Sequence, residues 1–230
     1  CEGNPIYCDD DTACNTGSMN ECQYPSDGLD CEGNCDNSAA TNLGEPGSCD
    51  FEINTIEEFF ANEGDYLNVS GPDDGITTYK LKTDFTFNSG NVSLWYGCND
   101  ILSNIIFNGN NKTITIDLGT DDWEGLFKPT NISDGLFKIQ NLTLKFKSNI
   151  ASYCGGFISD SNTITGYEVN IWNCKSITDN SNFIGTYGGG IVGRGFNEGT
   201  IQYCSNNLGI SYLGGGICGS NAGQSDLTIK

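Results

Sequence analysis

The chain has 230 residues, and none of them is histidine. That absence removes Ser-His-Asp and Cys-His catalysis, histidine-ligated zinc and imidazole proton relays together. Positive charge is scarce too. Ten Lys and Arg face thirty Asp and Glu, a net charge of 10 − 30 = −20. A surface this acidic repels phosphate backbones, which argues against nucleic acid as a partner. No apolar run approaches the ~20 residues that a bilayer-crossing helix needs, so no transmembrane segment is expected. Proline occurs only five times against 31 glycines, a turn-rich chain without a disordered proline-rich stretch. The first residue is Cys1 and no signal-peptide pattern follows it. The chain therefore reads as processed and secreted.

What is present is distributed unevenly. Residues 1–79 hold 18 acids and no Lys or Arg, and residues 80–230 hold 12 acids and all ten bases. Seven of the twelve cysteines lie before residue 50. Two regions are expected: an acidic cysteine-rich module over 1–50 and a larger domain over 51–230. In the module, Cys1, Cys8, Cys14, Cys22, Cys31, Cys35 and Cys49 are separated by Gly, Asn, Asp and Pro with few large apolar residues. Such a segment cannot bury enough surface to hold itself, so disulfides and an extracellular compartment are expected. Seven is odd; the eighth partner is Cys98 or a cysteine of a neighbouring molecule, and sequence does not fix the pairing. Asp9, Asp10, Asp11 and Asp30 are weak candidates for a calcium cage; their spacing matches no EF-hand loop, and solvated acidic loops are the favoured reading. The segments Thr12–Asn15, Cys22–Pro25 and Gly28–Cys35 resemble a short cysteine repeat of secreted, multi-module surface proteins of bacteria and algae. That resemblance implies an extracellular spacer without chemistry.

One helix is expected within Ser48–Gly64. Asn54 or Thr55 caps it, Ile56, Phe59 and Phe60 form an apolar face at i, i+3 and i+4, and Gly64 ends it. Beyond it, Tyr79–Phe87, Thr113–Leu118 and Leu142–Lys147 alternate with period two, as half-buried strands do. The tail repeats itself. Gly188-Gly189-Gly190-Ile191-Val192-Gly193 returns 26 residues later as Gly214-Gly215-Gly216-Ile217-Cys218-Gly219, and Gly155–Ile158 is a degraded copy. Ile171-Trp172-Asn173-Cys174 returns after 30 residues as Ile201-Gln202-Tyr203-Cys204. Short strands and glycine turns at a period of 26 to 34 residues indicate an all-β solenoid, each coil burying the next. A jelly roll or sandwich is the competing reading, and neither predicts glycine triplets at a fixed interval.

These units resemble GLUG repeats. The upstream order is similar to that family's N-terminal part as well: Ile56–Phe59, Tyr79–Asp84, Phe107–Ile114, Gly125–Phe127, then Ile139–Leu142. The resemblance spans about residues 52–224. It implies a right-handed parallel β-helix capped by the helix near 56–63, in cell-surface and adhesin-like proteins of microbes and large viruses, with no catalytic residue. Gly135–Lys138, a second Gly-Leu-Phe-Lys copy, departs from the pattern and blurs the coil boundaries between 120 and 140.

Cys174 and Cys204 occupy equivalent places one unit apart, so they stack, either bonded or as buried thiols. Asn68, Asn91, Asn111, Asn131 and Asn141 are N-x-Ser/Thr acceptors for glycosylation. Carbohydrate-degrading β-helices group carboxylates on one face; here the candidates are Asp117, Asp121, Asp122 and Glu124, with Arg194 as the single arginine. Asp121-Asp122 reads as an ordinary turn, and no enzyme activity is expected. Trp95, Trp123 and Trp172 are either sugar platforms or core residues. The expected function is a self-associating structural subunit of an extracellular surface filament, without a cofactor (calcium aside). A cell-surface adhesin or carbohydrate-binding module is the alternative, and a polysaccharide-degrading enzyme stands third.

Overall fold

A computed structural model describes residues 8–24, 29–36, 38, 40–47, 49–55, 77–91, 105–127, 136–159, 168–195, 199–220 and 227–230. These hold twelve strands and no helix. They are β1 (Asp50–Ile53), β2 (Thr77–Leu81), β3 (Phe85–Asn88), β4 (Ile105–Asp117), β5 (Leu136–Phe146), β6 (Glu168–Trp172), β7 (Lys175–Thr178), β8 (Phe183–Ile184), β9 (Gly199–Gln202), β10 (Ser205–Asn206), β11 (Gly209–Ile210) and β12 (Leu227–Ile229). Every strand pairing is parallel. Neighbours in a stack are about one coil apart in sequence, so the domain is a β-solenoid, and the antiparallel sandwich does not apply.

The first face is the stack β1-β2-β4-β5-β6-β9-β12. Its register runs Phe51, Tyr79, Phe107, Ile139, Ile171, Ile201, Ile229, one apolar residue per coil. A side chain in this column is covered by its copies above and below and by residues of the other faces, as Phe107 is by the ring of Phe127 at 5.2 Å. Truncating a central member such as Ile171, which is 1% exposed, removes its transfer energy and leaves a cavity, a loss of about 2–5 kcal/mol. The second face stacks β3, the second half of β4, the second half of β5, β7 and β10. The third passes through Trp123, Ile150, β8 and β11. A fourth ladder joins Phe127, Ile158, Val192 and Cys218, with Gly155, Gly189 and Gly215 beside it.

The corner between the first two faces has a local cause. Asn110, Asn111, Asn141, Asn173 and Tyr203 all take φ between 52° and 60°, a region asparagine tolerates better than most residues. The side chains of this corner form a ladder across coils. Asn173 Nδ2 donates to Asn141 Oδ1 at 2.8 Å, and Asn141 Nδ2 donates to Asn108 Oδ1 at 3.4 Å. The glycine ladder has a different cause. A Cβ on Gly190 would lie 2.3 Å from the Gly216 carbonyl oxygen of the following coil. Only a residue without Cβ lets the two coils approach that closely.

Six of the seven N-terminal cysteines pair as Cys8–Cys22, Cys14–Cys31 and Cys35–Cys49. Cys35 and Cys49 belong to the same continuous buried core as Phe51 and Ile53, so the crosslinked module packs onto the first coil. Cys1 and Cys98 lie outside the described residues. The start of the segment expected to be helical is strand β1, and the helix itself, over 56–63, lies outside the described residues.

Candidate functional site

The outward residues of the first face form the most developed surface. β5, β6 and β9 alternate, so residues flanking the buried column point away from it. Two outward rows result: Lys138, Asn170, Thr200 and, beside them, Gln140, Trp172, Gln202. These six line an open groove of about 470 Å³. Trp172 is 39% exposed and meets the ring of Tyr203, itself 69% exposed, at 6.1 Å and 89°. That perpendicular contact fixes the tilt of the indole. The side chains of Lys138, Gln140, Thr200 and Gln202 make no hydrogen bond or ion pair with any described residue. Of these groove residues, the sequence reading singled out only Trp172. The available signal was the outward positions at the 30- to 32-residue interval of the repeat.

The other candidate residues are already engaged. Trp123 is fully buried, its indole N–H donating to the Gly156 carbonyl at 2.9 Å, so it is a core residue. Trp95 lies outside the described residues. Asp117 pairs with Lys147 at 2.8 Å, and Asp121, Asp122 and Glu124 are exposed in the turn beyond it. Arg194 lies 4.2 Å from the centre of the Tyr153 ring, which stacks on Tyr187 at 5.3 Å. Its guanidinium therefore caps an aromatic column.

In the acidic module, Asp10 Oδ1 accepts from Thr12 N at 2.9 Å and Thr12 Oγ1 at 2.7 Å, and Tyr24 donates to Oδ2 at 2.8 Å. These bonds, the Thr12 hydroxyl first, lower the Asp10 pKa. Asp30 accepts from the Asn34 side chain at 2.9 Å and from the Asn34 and Glu32 amides, and its pKa falls likewise, the Asn34 side chain contributing most. Both carboxylates close turns. No group of three or more acids or cysteines among the described residues is placed to hold a metal.

Cys174 and Cys204 stack as expected, and both are free thiols here, as are Cys154 and Cys218. Burial raises the Cys174 pKa well above its ordinary value. The hydrogen bond with Cys174 lowers that of Cys204. Burial, with the nearby Cys204 charge, pushes Cys218 up to about 11. Among the sequons, Asn111 is exposed and Asn141 sits in the corner ladder. Asn91 closes the turn after β3, its Oδ1 accepting from Asn88 N at 2.8 Å. Asn68 and Asn131 lie outside the described residues.

Ile184 and Val192 are fully buried, whereas their counterparts one coil later, Ile210 and Cys218, are 53% exposed and half-buried. Ile229 is 56% exposed below a buried Ile201.

No protein family, curated protein or solved structure matches this chain.

Proposed function

We propose that this chain is an extracellular structural subunit that joins copies of itself end to end into a surface fibre. The observation that carries the reading is the parallel stack itself, in which an apolar column runs from one coil to the next and equivalent coils pack on each other. Stacks of this kind extend by adding equivalent coils, and packing between copies would bury exposed apolar residues such as Ile210 and Ile229. The three disulfides beside the first coil fit an oxidising, extracellular setting. The GLUG resemblance agrees with this role and with a right-handed winding, the hand that parallel crossovers favour. The division at residue 50, glycosylation at the sequons, and the absence of enzymatic activity belong to the same proposal.

Electron microscopy and sedimentation of the native chain across a hundredfold concentration range test it. Unbranched filaments are expected, and Ile210→Lys should abolish them without changing the far-ultraviolet spectrum. A monodisperse monomer at every concentration would contradict the proposal. A carbohydrate-binding module is the second reading, favoured by the exposed Trp172–Tyr203 pair beside the outward polar rows.

A further inference from the structure

The geometry points to a binding site for a neutral, extended oligosaccharide in the groove on the outer face of β5, β6 and β9. The site does not depend on end-to-end assembly, because it lies along the solenoid rather than at its end. Three observations meet there. The first is hydrogen-bonding capacity without internal use: the side chains of Lys138, Gln140, Thr200 and Gln202 bond to no described residue. Two amides and a hydroxyl offer both donors and acceptors, which is what the hydroxyls of a sugar require. The second is Trp172, whose partly exposed ring is tilted by Tyr203 and adjoins Gln140 and Gln202 in adjacent coils. An apolar ring flanked by polar groups suits a pyranose, which has one apolar face and a polar rim. The third is periodicity: equivalent side chains recur at about 4.8 Å along the stack, close to the advance of one sugar unit in an extended chain.

Charge narrows the ligand class. The six named lining residues include no carboxylate and one ammonium, Lys138, so a polycation finds no partner. The net charge of −20 opposes a polyanion. A neutral, hydroxyl-rich chain remains. The groove's length across three coils points to an oligomer of several units rather than a single sugar.

The test is calorimetric titration of the full chain with cellohexaose, xylohexaose, mannohexaose and chitohexaose, at a protein concentration where sedimentation shows one species. Saturable binding of at least one is expected. Trp172→Ala should weaken it at least tenfold, Trp172→Phe should recover part of the loss, and Gln140→Ala with Gln202→Ala should weaken it at least fivefold. Tyr212→Ala, 82% exposed and outside the groove, should bind like the parent. Melting temperatures keep lost binding distinct from lost folding. No saturable binding of any of the four sugars would overturn the inference. So would parental affinity in both Trp172→Ala and the double glutamine variant. Salt-sensitive binding of a sulfated oligosaccharide in place of the neutral ones would overturn it as well.

Discussion

Gly190 and Gly216 are the same position in successive coils, and neither lies in the left-handed region. Alanine can therefore adopt either backbone, and what differs is the coil beyond. A Cβ at 190 meets Gly216 O at 2.3 Å, Asn206 Cγ at 2.5 Å and Asn206 Cβ at 2.7 Å. Asn206 cannot swing away freely, because its Oδ1 accepts from Leu208 N at 3.2 Å. The coils must part instead. That strains the bond from Ile191 N to Ile217 O, 2.9 Å, which joins the two coils. Overpacking of this kind costs roughly 1–3 kcal/mol, and the weakened bond adds about 1 kcal/mol. Gly190→Ala should thus lose about 2–4 kcal/mol, on the order of 10 °C in melting temperature for a chain of this size. A Cβ at 216 meets only Ile210 Cδ1, at 3.6 Å, an ordinary contact. Gly216→Ala should be neutral or gain up to ~1 kcal/mol through the unfolded chain. Thermal and urea unfolding of dilute protein compares the two. Equal losses would refute the claim that the triplets exist because coils press on each other.

Two further outcomes follow from the same geometry. When the chain is secreted from a eukaryotic host, glycopeptide mass spectrometry should find Asn111 occupied and Asn141 bare, because the Asn141 amide holds the corner ladder; full occupancy at Asn141 would contradict that ladder. Cys218 keeps its proton up to about pH 11 when folded, against an ordinary value near 9. The folded state binds more protons than the unfolded state between those values, so stability should fall as pH rises from 9 to 11. Urea midpoints at pH 8, 10 and 11 check this, and Cys218→Ala should flatten the fall.

The repeat was legible because glycine triplets answer to backbone contact, and backbone contact recurs every coil. The unequal intervals also have a structural meaning. Lys175 to Ser205 spans 30 residues and Phe183 to Gly209 spans 26, so the loop between second and third faces is four residues shorter in the later coil. Corners were not legible. Tyr79–Phe87 reads as one alternating strand, yet it is β2 and β3 with a bend at residues 82–84. A three-residue corner preserves odd–even parity, leaving Tyr79, Leu81, Phe85 and Phe87 all inward. Nor could pattern separate the two Gly-Leu-Phe segments. Phe127 closes one coil and Phe137 opens the next, their rings 5.1 Å apart. The groove stayed hidden because outward polar residues carry no hydrophobic periodicity. Only the register aligns Gln140, Trp172 and Gln202.

Three surface ion pairs offer the most direct measurement of the stacked coils. Lys82 pairs with Glu52 and Lys147 with Asp117, each across 30 residues, and Lys145 with Asp179 across 34. Such exposed pairs add little stability, about 0–1 kcal/mol each, but a zero-length carbodiimide crosslink captures them without any mutation. Peptide mapping of the monomeric fraction should recover Glu52–Lys82, Asp117–Lys147 and Lys145–Asp179, every bond one coil in length. Crosslinks at antiparallel hairpin spacing, with these three missing, would contradict the parallel stack.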